Sequence, residues 1–167
     1  VKTIEPPDSH FISAASGWLG LGNWREASEE LDKVNPALAT HREVLELRYQ
    51  ICVMAKKWDS AAEYAVVLLE RFPSDPGSWI SVAYATRRKP GGGIEKAREI
   101  LSVAQQRFPH EPIIAYNLAC YDCQLNRLDD ARQWLARAMK LGVPSVIKQM
   151  ALDDSDLKAL WSEIAGL

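Results

Sequence analysis

Cysteine, net charge and long apolar runs are all scarce in this chain of 167 residues. No apolar run approaches the ~20 residues that a membrane-crossing helix needs. Three cysteines, Cys52, Cys120 and Cys123, are too few and too unevenly placed for a disulfide framework. A reduced, cytoplasmic setting is therefore expected, with a periplasmic one as the alternative. No signal peptide is visible, and a start at Val1 leaves an upstream segment open. The three histidines, His10, His41 and His110, show no paired spacing, so a zinc site would lack ligands. Lys and Arg total 20 against 22 Asp and Glu, a net charge of −2. That balance gives no reason to expect nucleic acid or an anionic membrane as partner. Nothing resembles a nucleophile with its base and orienting group. The chain is expected to be no enzyme and to carry no cofactor or metal.

What is present is repetition. The phrase Leu128-Asp129-Asp130-Ala131 recurs as Trp58-Asp59-Ser60-Ala61 and Ile94-Glu95-Lys96-Ala97, and more faintly as Trp24-Arg25-Glu26-Ala27. The alanines stand 34, 36 and 34 residues apart. A fixed period of this size marks stacked helix-turn-helix units. A second pair repeats outside the helical phrases: Phe72-Pro73-Ser74-Asp75-Pro76 and Phe108-Pro109-His110-Glu111-Pro112. In each, one proline ends a helix and the next opens another.

The repeats resemble the tetratricopeptide family. In that family helix A carries an aromatic, a Leu and a small residue, and helix B carries small and bulky residues before a closing proline. The third copy matches with Trp79, Val82, Ala83, Ala97, Leu101, Ala104 and Pro109. The fourth matches with Leu118, Ala119, Ala131, Leu135 and Ala138, its Pro144 one place late. The second gives Leu45, Ala61, Ala65, Leu68 and Pro73. The first gives Ala15, Trp18, Trp24, Ala27 and Leu31, and its Pro36 comes early. The resemblance implies an all-α fold, a right-handed superhelical solenoid of antiparallel helix pairs. Residues 1–7 read as an extended lead-in. Four repeats then occupy 8–144, at about 8–39, 40–75, 76–111 and 112–144. A capping helix within 145–167 covers the apolar end of the stack.

Along the chain, Asp8 or Ser9 is expected to cap the first helix. The apolar run Ala65–Leu69 predicts a fourth helix buried on more than one side. Gly91-Gly92-Gly93 accounts for the longer spacing and predicts a flexible loop, since each glycine disfavours helix by about 1 kcal/mol. Trp18, Trp24, Trp58 and Trp79 sit at repeat positions expected in the core, whereas Trp134 among polar neighbours is expected to be partly exposed and part of a contact surface.

The resemblance places partners on the wall formed by the A helices. Carried over by register, the candidate residues are Gln50, Ile80, Tyr84, Arg87, Arg88, Tyr116, Asn117, Cys120 and Gln124. One subclass grips a C-terminal carboxylate with a lysine, asparagine and arginine clamp. The matching places here hold Ile12, Ser16, Leu47, Ile80 and Tyr84, so that specificity is rejected. Cys120 and Cys123 share a helix face. Redox pairs of this spacing favour a helix N-terminus, so small groove-facing side chains are the better account. Gly91–Gly93 lacks the pattern of a phosphate loop. The expected function is a non-catalytic adaptor or scaffold holding a peptide or helix of a partner protein. A secretion-type chaperone and a self-assembling structural protein are the alternatives.

Overall fold

The structure, a computed structural model, describes residues 4–166. Residues 1–3 of the expected lead-in and the last residue of the expected cap lie outside the described residues. The chain divides into two compact units, one up to Pro73 and one from Ser74. No strand occurs among the described residues.

The first unit contains α1 (Asp8–Gly20), α2 (Trp24–Asp32), a 3-10 turn at Pro36–Leu38, α3 (Arg42–Met54) and α4 (Trp58–Arg71). α1 pairs with α2 and α3 with α4. Ile12, Ala15, Ala27, Leu31, Val44, Leu47 and Ile51 form its core. Asp8 does not cap α1 with its side chain. Its carboxylate accepts instead from the Asn35 amide at 2.8 Å, tying the start of α1 to the end of α2. α4 buries Ala61, Ala62, Ala65 and Leu68 on a single face. Val66 is 43 % exposed, so the apolar run does not mark a helix enclosed on several sides.

The second unit contains α5 (Pro76–Arg88), α6 (Ile94–Arg107), α7 (Pro112–Gln124), α8 (Leu128–Leu141) and α9 (Pro144–Asp153). A 3-10 segment, Ser155–Leu160, and the short α10, Trp161–Ala165, replace the single last helix expected from periodicity. α5 pairs with α6 and α7 with α8. Enclosure belongs to α7, against which α6, α8 and the 3-10 segment all pack. Pro76, Pro112 and Pro144 each occupy the first turn of a helix, where a missing amide donor costs nothing.

The periodic alanines explain the period. Ala27, Ala61, Ala97 and Ala131 are each 0 % exposed, so a larger side chain at any of them would overpack its hairpin. Three hairpin turns share one backbone device. Gly22, Lys56 and Asn126 take φ of 77°, 56° and 59°. The next amide then reaches back to the helix: Asn23 to the Trp18 carbonyl at 2.9 Å, Lys57 to Cys52 at 2.8 Å and Arg127 to Asp122 at 2.8 Å. This left-handed cap satisfies carbonyls that a helix end leaves unpaired. The third hairpin has Pro90 at the place 34 residues after Lys56, and proline is locked near φ of about −65°. The glycine loop replaces the cap. It is fastened rather than loose: the Gly93 amide donates to the Thr86 carbonyl at 3.1 Å and the Gly92 amide to Lys89 at 3.0 Å. Lys96 adds a bond to the Gly91 carbonyl at 2.7 Å.

The tryptophans depart from the core expectation. Trp18 is 36 % exposed, and Trp24, Trp58 and Trp79 are half-buried; Trp134 is half-buried as its polar neighbours led one to expect. A bulky ring at a hairpin edge covers the small residues beneath it with one face and keeps the other wet.

Candidate functional site

α5 and α7 are the first helices of their hairpins, and their side chains meet the C-terminal segment of the same unit. Asp154 follows α9, and its Oδ1 accepts from the Asp156 amide at 2.9 Å, starting the 3-10 turn. Its other oxygen, Oδ2, accepts from the Tyr116 hydroxyl at 3.0 Å and from Cys120 Sγ at 3.5 Å. Asp156 takes a two-pronged grip from Arg87, one prong at 2.8 Å. Bidentate pairing of this kind is geometrically specific as well as strong. Gln124 donates to the Asp156 backbone carbonyl at 2.9 Å. The Arg87 guanidinium also lies over the Tyr121 ring, 5.3 Å from its centre.

Apolar contacts fix the same segment. Leu157, Leu160 and Ile164 are each at most 1 % exposed. Burying three such side chains contributes about 5–9 kcal/mol before ordering entropy is counted. The segment is therefore an integral part of the second unit. Arg132 and Glu163 clasp its far end with bonds of 2.7 and 2.8 Å, and Trp161 donates to the Ala151 carbonyl at 3.0 Å.

At four places of the expected wall the side chains meet the chain itself, although Gln124 remains exposed. Arg87, Tyr116, Cys120 and Gln124 face the chain's own C-terminal segment, which takes their polar groups. Tyr116 is 5 % and Cys120 2 % exposed. The other candidates stand elsewhere. Tyr84 lies beneath the Arg88 guanidinium, 3.6 Å from its ring centre, and Arg88 also bonds the Tyr84 carbonyl at 3.2 Å. Ile80 and Asn117 are half-buried on α5 and α7, and Asn117 turns back to the Ile113 carbonyl at 2.8 Å. Gln50 is exposed on α3, in the first unit.

The electrostatics oppose reactive chemistry at the thiols. Burial, and secondarily Asp154, pushes the Cys120 thiol well above its ordinary range. Burial raises Cys123 as well. Burial first, then the neighbouring Cys120 and Asp154, raises the Tyr116 hydroxyl, and burial pushes Tyr121 up to about 12. Protonated, buried thiols are poor nucleophiles and poor ligands. Among the described residues no group of three metal-ligating side chains converges. No helix there is long and apolar enough to cross a membrane.

A buried ion cluster escaped sequence reasoning. Asp122 on α7 is 0 % exposed. Arg98 of α6 grips it at 2.5 and 3.0 Å, and Arg127 stands 3.7 Å away. The hydrogen bond to Asp122 raises the Arg98 guanidinium further above its ordinary value. The one signal was an acidic residue at a core-facing position of an otherwise apolar helix.

No protein-family model matches the chain, and no curated protein matches it. Solved structures do. The structure titled MamA RS-1 ArsTM double mutant superposes with a TM-score of 0.67 at 16 % identity, covering 83 % of this chain and 76 % of that one. TTC0263, a thermophilic TPR protein in Thermus thermophilus, superposes with a TM-score of 0.66, also at 16 % identity, covering 96 % of this chain and 100 % of that one. The fold is the tetratricopeptide repeat. In that fold α1, α3, α5 and α7 take the A positions and α2, α4, α6 and α8 the B positions. The acidic grip described above thus lies on A helices of the repeat fold.

Proposed function

We propose that the chain is a non-catalytic protein-interaction module that holds a segment of a partner protein on its A-helix faces. One observation carries this reading. The A helices of the second unit already hold an irregular acidic segment, through a paired arginine, a tyrosine hydroxyl and a glutamine amide. That grip is an instance of A-helix side chains holding an irregular segment, and Tyr84, Arg88 and Asn117 carry the same kinds of group on the same two helices. The tetratricopeptide fold agrees with the reading but does not decide it, because one scaffold serves many functions. The side chains assigned to the partner in the second unit are Ile80, Tyr84, Arg88 and Asn117; Gln50 is assigned separately, on the A-helix face of the first unit. Arg87, Tyr116, Cys120 and Gln124 are assigned to positioning the C-terminal segment beside them.

The test is affinity capture from native cell extract. The intact chain is compared with an Ile80→Ser, Tyr84→Ala, Asn117→Ala variant of unchanged helicity. A protein retained by the intact chain and lost by the variant supports the reading. Identical recovery by both would place binding on another face.

A further inference from the structure

Exposed turns are normally built from small polar residues. The two hairpin turns of the first unit are not. Leu21, where α1 ends, is 78 % exposed, Trp18 just before it 36 %, and Met54 at the end of α3 39 %. Among the described residues of this unit, the remaining exposed large apolar side chain is Val66, inside α4. The two turns lie side by side. The Lys57 ammonium of the second stands over the Trp24 ring of the first, 5.5 Å from its centre, and the Arg25 guanidinium stands 4.8 Å from it.

Cations share this edge. Arg25, Lys56 and Lys57 are exposed, and among the described residues no carboxylate forms an ion pair with any of them. The stretches 17–25 and 53–58 hold these three cations and no acid; Glu26 and Asp59 follow in the first turns of α2 and α4. The whole-chain charge of −2 conceals that local excess. The fourth hairpin differs at the matching places. Leu125, which ends α7 as Leu21 ends α1, is half-buried. Arg127, which precedes α8 as Lys57 precedes α4, faces Asp122 at 3.7 Å.

We infer that this edge docks the first unit onto an anionic lipid bilayer. Leu21, Trp18 and Met54 enter the headgroup region. Trp24 and Trp58 lie behind them, at the level where tryptophan is enriched in membrane interfaces. Arg25, Lys56 and Lys57 meet the lipid phosphates. A bilayer accepts apolar tips without a shaped pocket. A specific protein interface engages about 20–30 residues a side, more than these two turns contain.

The experiment floats the intact chain with vesicles of phosphatidylcholine alone, or of phosphatidylcholine mixed with phosphatidylglycerol. Flotation with the anionic vesicles is expected to exceed that with the neutral ones and to weaken as salt rises. Leu21→Ser is expected to lower partitioning about ten-fold. Lys56→Gln with Lys57→Gln is expected to lower it about thirty-fold on anionic vesicles. Val103→Ser, at an exposed valine of α6, should leave it unchanged. Circular dichroism establishes that the variants fold. Should the paired lysine variant unfold, Leu21→Ser and the salt dependence decide the matter. Failure to float with either vesicle would overturn the inference and leave the edge to an acidic protein surface. Equal flotation with both vesicles, or flotation undiminished in folded Leu21→Ser or in the folded lysine variant, would overturn it as well.

Discussion

Removing either partner of the Arg98–Asp122 pair has unequal consequences, and the structure sets the order. Arg98→Ala leaves a carboxylate that is 0 % exposed, with Arg127 at 3.7 Å as its remaining cation. Stranding a buried charge costs about 3–5 kcal/mol. Asp122→Ala leaves two arginines whose side chains are 25 % and 47 % exposed, and water can reach both. Its cost is the lost charge-assisted hydrogen bonds, about 2 kcal/mol. Replacing the pair together, Arg98→Met with Asp122→Leu, removes both charges and is expected to fall within about 1 kcal/mol of wild type. Urea unfolding followed by circular dichroism reads these differences directly. With a slope near 2 kcal/mol per molar, Arg98→Ala should lower the midpoint by about 1.5–2.5 M and Asp122→Ala by about 1 M. Equal midpoints for the two single variants, or a larger loss for Asp122→Ala, would refute the reasoning.

Three other outcomes follow from the same structure. At Gly92 an added Cβ would fall 1.8 Å from the Thr86 carbonyl oxygen, so Gly92→Ala must shift the loop and should cost about 2 kcal/mol or more by urea midpoint. Lys56 holds φ of 56°, a conformation that costs a non-glycine residue about 1 kcal/mol, so Lys56→Gly should raise the midpoint by a comparable amount rather than lower it. Alkaline pH should destabilise the second unit: burial raises Cys120 from the ordinary thiol value of 9.0, and Tyr121 from 10.0 to about 12. The sign is that of raised folded pKa values. Stability is fully present below pH 9 and is lost as the unfolded chain ionises above it. A urea midpoint that stays flat from about pH 8 to pH 11 would contradict this.

The repeat architecture was legible because tight crossings demand small residues at fixed places, and Ala27, Ala61, Ala97 and Ala131 report those places directly. Pro76 and Pro112 marked helix starts for an equally local reason, whereas Pro144, read as the closing proline of the fourth repeat, opens α9. The C-terminal contacts were not legible. Arg87 and Asp156 stand 69 residues apart, and no local pattern couples them. Register along α7 brought Tyr116, Cys120 and Gln124 onto the right helix, but register says nothing about which segment lies across them. The glycine loop was misread for a related cause. Glycines signal permissive backbone, and close approach to the Thr86 carbonyl demands that as much as mobility does. Asp8 was assigned to the nearest helix start, whereas its partner, Asn35, comes from the end of the next helix.

The most direct test of partner binding on the A-helix faces is site-specific photo-crosslinking in native extract. A photoreactive phenylalanine derivative is placed at Tyr84 in one chain and at the exposed Val103 of α6 in another. The account predicts a discrete crosslinked partner from position 84 and none from position 103. Crosslinks from position 103 with none from position 84 would contradict it.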